Sequence, residues 1–121
     1  QGAMDIANVA SDQVRVVKTH GTGTVSNNVA ERSALTHLLP NGFVATSYKP
    51  VIGHTMGASG LLEIALLTDS MHAGIIPAIP NRTEVDTVFL SSPQERPDGL
   101  MLALAAGMGN VYSAAVFAVG G

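Results

Sequence analysis

Two short stretches hold the residue types that could do chemistry: His20-Gly-Thr-Gly-Thr24, and Lys49-Pro-Val-Ile-Gly-His54. In each, an apolar run ends where a glycine turn begins, so the polar groups are held at element ends, where rigid scaffolds present functional side chains. Gly21 and Gly23 let the backbone take positive φ or approach a ligand closely, with the hydroxyls of Thr22 and Thr24 between them as donors. Lys49 precedes His54 by five residues, so one tight turn can return its ammonium toward the imidazoles, orienting them and lowering their pKa. A lone histidine at a strand end is more often a satisfied core or surface residue, and a lone lysine a solvated one. The pairing within two motifs is what favours a site. His37 and His72 lie outside any motif and read as helix-surface residues.

The elements that must position these groups follow from periodicity. Val14-Arg-Val-Val-Lys18 is β-branched and mostly apolar, a strand buried on at least one face that delivers His20. Asn27 or Asn28 can cap a helix running to about Leu39, with Glu31 in its first turns. Pro40-Asn-Gly42 ends it, and Phe43 to Tyr48 makes a second strand with Lys49 at its end. A helix from about Ser59 to Ala73 is apolar nearly all round through Leu61, Leu62, Ile64, Leu66, Leu67 and Met71, the pattern of a helix buried between two layers. Gly74 to Asn81 is an extended, proline-punctuated connection, and residues 81–99 a turn-rich surface loop with a short strand at Thr87 to Leu90. Leu100–Ala106 and Val111–Val119 then form a hairpin across Gly107-Met-Gly-Asn110. Residues 5–13 are not diagnostic. Gln1 to Met4 read as a scar of expression, outside the fold, leaving 5–121 as one α/β domain.

A chain of 121 residues with 46% apolar composition can bury a core, and few aromatics with many small residues favour close-packed α/β layers. A net charge of −3 with only 6 Lys and Arg leaves no electrostatic footprint for nucleic acid or an anionic membrane. With no stretch long enough to span a bilayer, a cytoplasmic protein is expected. The sequence contains no cysteine, which excludes disulfides and thiolate zinc sites. No metal site is expected.

The two motifs, their order and spacing, and the closing glycine-rich strand resemble the C-terminal half of a β-ketoacyl synthase over roughly residues 12–119. The resemblance implies the layered thiolase-like fold, with a mixed sheet and a buried helix. It also implies a reaction: an acyl chain is extended by decarboxylating a malonyl thioester on acyl carrier protein and letting the enolate attack an acyl-cysteine. Neutral imidazole N–H groups can stabilise the growing oxyanion without an acid strong enough to quench the carbanion. On this resemblance His20 and His54 are those donors, Lys49 orients them through a link to Glu31, and Thr22 and Thr24 contact the phosphopantetheine arm. Gly107, Met108 and Gly109 match the gating loop, with Met108 where the family has phenylalanine, and Asn28 stands where the family usually has aspartate. No tightly bound cofactor is implied, the phosphopantetheine arm being the substrate carrier. The family's cysteine nucleophile has no counterpart here, so a hetero-oligomer with a cysteine-bearing half or subunit is expected.

Two other readings compete. One is a non-catalytic scaffold resembling a chain-length factor, in which the histidine pair is typically degraded. The other is an anion-binding module built on Gly57-Ala-Ser-Gly60 at a helix start.

Overall fold

The computed structural model describes residues 1–80, 82, 88–109 and 111–120. In chain order it contains α1 (Gly2–Ala7), β1 (Val14–Lys18), α2 (Val25–Leu38), β2 (Val44–Thr46), α3 (Lys49–Ile52), α4 (Ser59–His72), β3 (Ile75–Ile76), β4 (Gln94–Glu95), β5 (Leu100–Gly107) and β6 (Val111–Phe117). Single 3₁₀ turns at Ser11–Gln13 and Met56–Ala58 precede β1 and α4.

The β-branched run of β1 sits inside a mixed sheet of order β2-β1-β5-β6, parallel to β2 and β5, with β6 antiparallel at the edge. Its side chains alternate between faces, and that alternation divides the core. Val17 and Leu102 point to one face, where they pack with Met4, Leu35, Leu39 and Phe43. Val16 and Met101 point to the other, packing with Leu67 and Met71 of α4. Helices therefore cover both faces of one sheet, the arrangement that parallel strands require.

Most expected elements form, and the differences have local causes. β2 covers three residues instead of six, because Lys49-Pro-Val-Ile52 turns at once into a short helix. Pro50 lies in its first turn, where a missing N–H costs nothing. α2 begins at Val25 with Thr24 at the N-cap position, ahead of the asparagines expected to cap it, and Thr24 makes no side-chain cap bond. Asn27 instead donates its side-chain amide to Thr22 Oγ1 at 2.8 Å. Ile75–Ile76, expected as a simple extended connection, pairs antiparallel with Gln94–Glu95. Thr87, Asn81 and Asn110 lie outside the described residues. Of the short strand expected at Thr87 to Leu90, Phe89 makes a parallel bridge to Ala45 beyond β2.

Of the first four residues, expected to lie outside the fold, Met4 on α1 is 2% exposed and belongs to the core, while Gln1 and Gly2 are exposed. The helix expected to be buried all round is buried along a single stripe, Ser59, Glu63, Leu67 and Met71, spaced one turn apart. Leu61 on its other side is 78% exposed and Leu62 40%. Among the described residues no helix is long and apolar enough to cross a membrane.

Candidate functional site

β1 ends at Lys18, and the chain leaves the sheet through Thr19 to reach His20. Gly21 makes this exit possible. Its φ of 59° lies in the left-handed region, and a Cβ there would stand 2.1 Å from Ser47 Oγ, so neither the conformation nor the space admits a side chain. The turn is clamped from α2: Glu31 Oε1 accepts the His20 backbone N–H at 2.6 Å and Oε2 accepts that of Gly21 at 3.2 Å. The expected link between Glu31 and Lys49 does not form. Glu31 anchors the backbone of the histidine loop, because its carboxylate is the acceptor nearest two amides that have left the sheet.

The partner of Lys49 is Glu63, on the buried stripe of α4, at 2.6 Å from Nζ to Oε1. Ser59, one turn earlier, also donates to that oxygen. The second oxygen, Oε2, lies 2.7 Å from Nζ of Lys18, whose well-aligned hydrogen bond goes to the Leu104 carbonyl on β5, also at 2.7 Å. Lys18, Lys49 and Glu63 are 1%, 8% and 0% exposed, so two ammoniums and one carboxylate share a buried cluster. Burial alone would raise the Glu63 carboxyl, but the Lys18 ammonium beside it and the bonds from Lys49 and Ser59 outweigh that and hold the group below its ordinary range. Lys18 is not so well matched. Burial pushes its pKa down, and a share of one carboxylate does not make up the loss.

His20 and His54 meet edge to face, ring centroids 5.8 Å apart with planes at 79°. Each accepts a backbone N–H at Nδ1, from Ala106 to His20 and from Met56 to His54, both at 3.1 Å. An Nδ1 used as an acceptor places the proton of the neutral ring on Nε2, so each ring keeps one N–H donor. Met56 reaches His54 from a left-handed backbone, φ 51°, a conformation that costs energy for a residue with a side chain. Burial lowers the pKa of His20, and the charges of Lys49 and Lys18 lower it further, which favours the neutral ring.

Both rings line a cleft of about 390 Å³ between the start of α4 and the β5–β6 hairpin, with Gly60, Ile64 and Ala105 among its walls. Of the other expected site residues, Gly107 lines this cleft and the remainder do not. Met108 is 88% exposed on the hairpin turn, beside Gly109 at φ 75°. Thr22 and Thr24 stand on the loop between His20 and α2, outside the cleft lining. His37 and His72 are exposed helix residues, as expected. A larger, shallower depression between Asp12 and Leu100 contains none of these groups.

Sequence reasoning missed Glu63, Ser59 and Lys18, and the two amides that orient the rings. Glu63 did leave a signal. It is the one charge within Leu61–Leu67, and a carboxylate on the buried side of so apolar a helix must have a cationic partner.

Comparison with known proteins gives the family and the fold. Residues 1–83 match the model of the β-ketoacyl synthase C-terminal domain. The chain is 32% identical, over 96% of its length and 29% of the relative's, to the tetracenomycin polyketide synthase ketoacyl synthase alpha subunit of Streptomyces glaucescens. Among solved structures, it superimposes on a β-ketoacyl synthase from Burkholderia phymatum with a TM-score of 0.90 at 23% identity, covering 98% of this chain and 31% of that one. The ketosynthase of a type II polyketide synthase, solved in complex with its acyl-carrier protein, gives 0.85 at 21% identity, covering 95% and 30%. The fold is the thiolase-like one of these ketosynthases. The chain spans about three-tenths of the length of the relatives it matches.

Proposed function

Because this chain belongs to the β-ketoacyl synthase family, within its C-terminal domain, we propose that it supplies the oxyanion donors for decarboxylative condensation in fatty-acid or polyketide synthesis. The observation that carries the reading is that both imidazoles line one cleft with Nδ1 already occupied by a backbone N–H, leaving Nε2–H as the donor on each.

In this reading malonyl-acyl carrier protein enters the cleft on its phosphopantetheine arm, with Thr22 and Thr24 at the approach. The bond from the malonyl carboxylate to Cα breaks, carbon dioxide leaves, and its electron pair becomes the thioester enolate. His20 and His54 donate to that enolate oxygen. The carbanion then attacks the carbonyl of an acyl-cysteine carried outside residues 1–121, forming the new C–C bond and expelling the thiolate. Lys49, held by Glu63, favours the neutral ring of His20 and helps to orient the pair. Gly107, Met108 and Gly109 form the turn at the acyl entrance. The cysteine-bearing portion packs on surface exposed here, Leu61 and Leu62 of α4 together with β6, whose residues Val111–Ala115 are all exposed.

The test is His20→Ala and His54→Ala in the assembled synthase. Each should leave acyl loading of the cysteine intact and slow decarboxylation of malonyl carrier protein by at least ~10²-fold, the scale for losing one oxyanion donor. Unchanged decarboxylation in both would return the chain to the scaffold reading. Size exclusion with mass detection, on this chain alone and with the cysteine-bearing portion, should show association only in the second case.

A further inference from the structure

We propose that Lys18 is a positioning residue for the histidine pair: by ion-pairing with Glu63 and donating to the Leu104 carbonyl, it fixes both the carboxylate that holds Lys49 and the part of β5 whose Ala106 amide holds His20. The inference rests on the donor role of the histidines proposed above.

Lys18 is the last residue of β1, in register with Ala103 of β5. Its side chain turns back into the protein instead of reaching solvent, the usual fate of a lysine at a strand end. There it meets α4 through Glu63 Oε2 and β5 through the Leu104 oxygen, each at 2.7 Å. Ala106 lies two residues beyond Leu104 on the same strand, and its N–H is the one His20 accepts. One side chain thus ties together three elements that converge on His20: the strand that delivers it, the strand that orients it, and the helix that anchors Lys49.

Lys49 and Ser59 already occupy Glu63 Oε1, so the carboxylate had an ammonium without Lys18. The second ammonium gives the cluster a surplus positive charge under the cleft, at the expense of desolvating another cation. The charged and titratable groups that face His20 are Lys49, Lys18, His54 and Glu63, with the Glu31 carboxylate on its backbone amide. Three of these oppose a proton on the ring. Removing Lys18 takes away one of the three, so the ring should hold its proton to a higher pH, and activity that needs the neutral ring should begin at a higher pH.

The experiment uses the assembled synthase, with Lys18→Met removing both charge and hydrogen bond, Lys18→Gln removing the charge but keeping a donor, and His20→Ala as reference. Lys18→Met should lower malonyl decarboxylation about tenfold near neutral pH, with acyl loading unchanged. It should also move the acid limb of the pH–rate profile upward, and the ¹⁵N titration of His20 should move with it. Lys18→Gln should show the same limb shift with a smaller loss of rate. If His20→Ala collapses the rate while Lys18→Met keeps both the rate and the limb of the wild type, the positioning role is overturned and the donor reading survives. If His20→Ala has no effect, the donor reading itself fails. Should Lys18→Met not fold, Lys18→Gln decides alone. Should neither fold, Lys18→Arg decides, since it keeps the charge but cannot place it on the same two acceptors: a reduced rate with the acid limb unmoved supports the role, and the wild-type rate overturns it.

Discussion

The two faces of the sheet are built from the same strands and serve opposite purposes. On the face covered by α1 and α2, Met4, Val17, Leu35, Leu39, Phe43 and Leu102 pack into one apolar cluster. On the face covered by α4, the apolar cluster of Leu67, Met71 and Met101 gives way toward the strand ends to Lys18, Lys49 and Glu63. Burying charge is costly, and a carboxylate with two ammoniums contributes less to folding than hydrocarbon of the same volume. The first face therefore supplies stability, and the second gives up some of it to place charge under two imidazoles.

The largest effect that would sharpen this contrast is expected at Glu63. Glu63→Leu leaves Lys18 and Lys49 buried without their anion, a loss on the order of 3–5 kcal/mol when one member of a buried pair is removed. Denaturant unfolding of the assembled synthase should show that loss, with decarboxylation falling in whatever remains folded. Acid should have a related effect. The Glu63 carboxyl is held below its ordinary range, so its contribution is present above the unfolded carboxylate pKa and is lost as pH falls through the folded value. A wild type and Glu63→Gln that lose stability in parallel as pH falls would break the assignment.

On the other face Leu35→Ala should cost about 2–5 kcal/mol by the same measurement, since Leu35 is 2% exposed and its neighbours are apolar. Its decarboxylation rate per folded molecule should match the wild type. A variant here that changed the rate as much as the fold would erase the distinction between the faces.

Glu31→Gln should come next. The carboxylate holds the amides of His20 and Gly21 through charge-assisted bonds, and a neutral amide oxygen replaces one of them weakly. A stability loss of about 1–2 kcal/mol is expected, with a smaller loss of decarboxylation than at His20 itself. If the variant kept the wild-type stability and left the His20 loop unmoved, the clamp reading would be wrong.

How far the sequence could be read follows the same division. β1, α2, α4 and the β5–β6 hairpin were legible because β-branched runs, a 3.6-residue period and glycine turns are local signals. The meeting of His20 and His54 was legible because the motifs fix their spacing at two element ends, whereas Lys49, outside the cleft lining, is turned to Glu63. Glu31 was assigned the wrong partner because the resemblance supplies a glutamate for Lys49 without saying which carboxylate the fold brings to it, and the side of α2 that faces the histidine turn is not written in residue types. Glu63 acts from fourteen residues past Lys49 across a helix packing that only the fold determines. The amides of Met56 and Ala106 carry no side-chain identity, so their role in setting the imidazole tautomers could not be written in residue types at all.

The smallest effect is expected at Met108, on the hairpin turn outside both faces. Its side chain is 88% exposed and touches neither core, so Met108→Phe should change stability by less than about 0.5 kcal/mol. Its consequence should lie in selection instead. Methionine is flexible and fills space loosely, whereas a phenylalanine ring on the same turn would hold a fixed shape beside the cleft entrance. In the assembled synthase, competing acyl donors of different length should therefore be used in altered proportion while extender decarboxylation stays at the wild-type rate. An unchanged product distribution would remove the turn from acyl selection, and a fall in decarboxylation would mean that the hairpin acts on the histidines through Gly107 and Ala106.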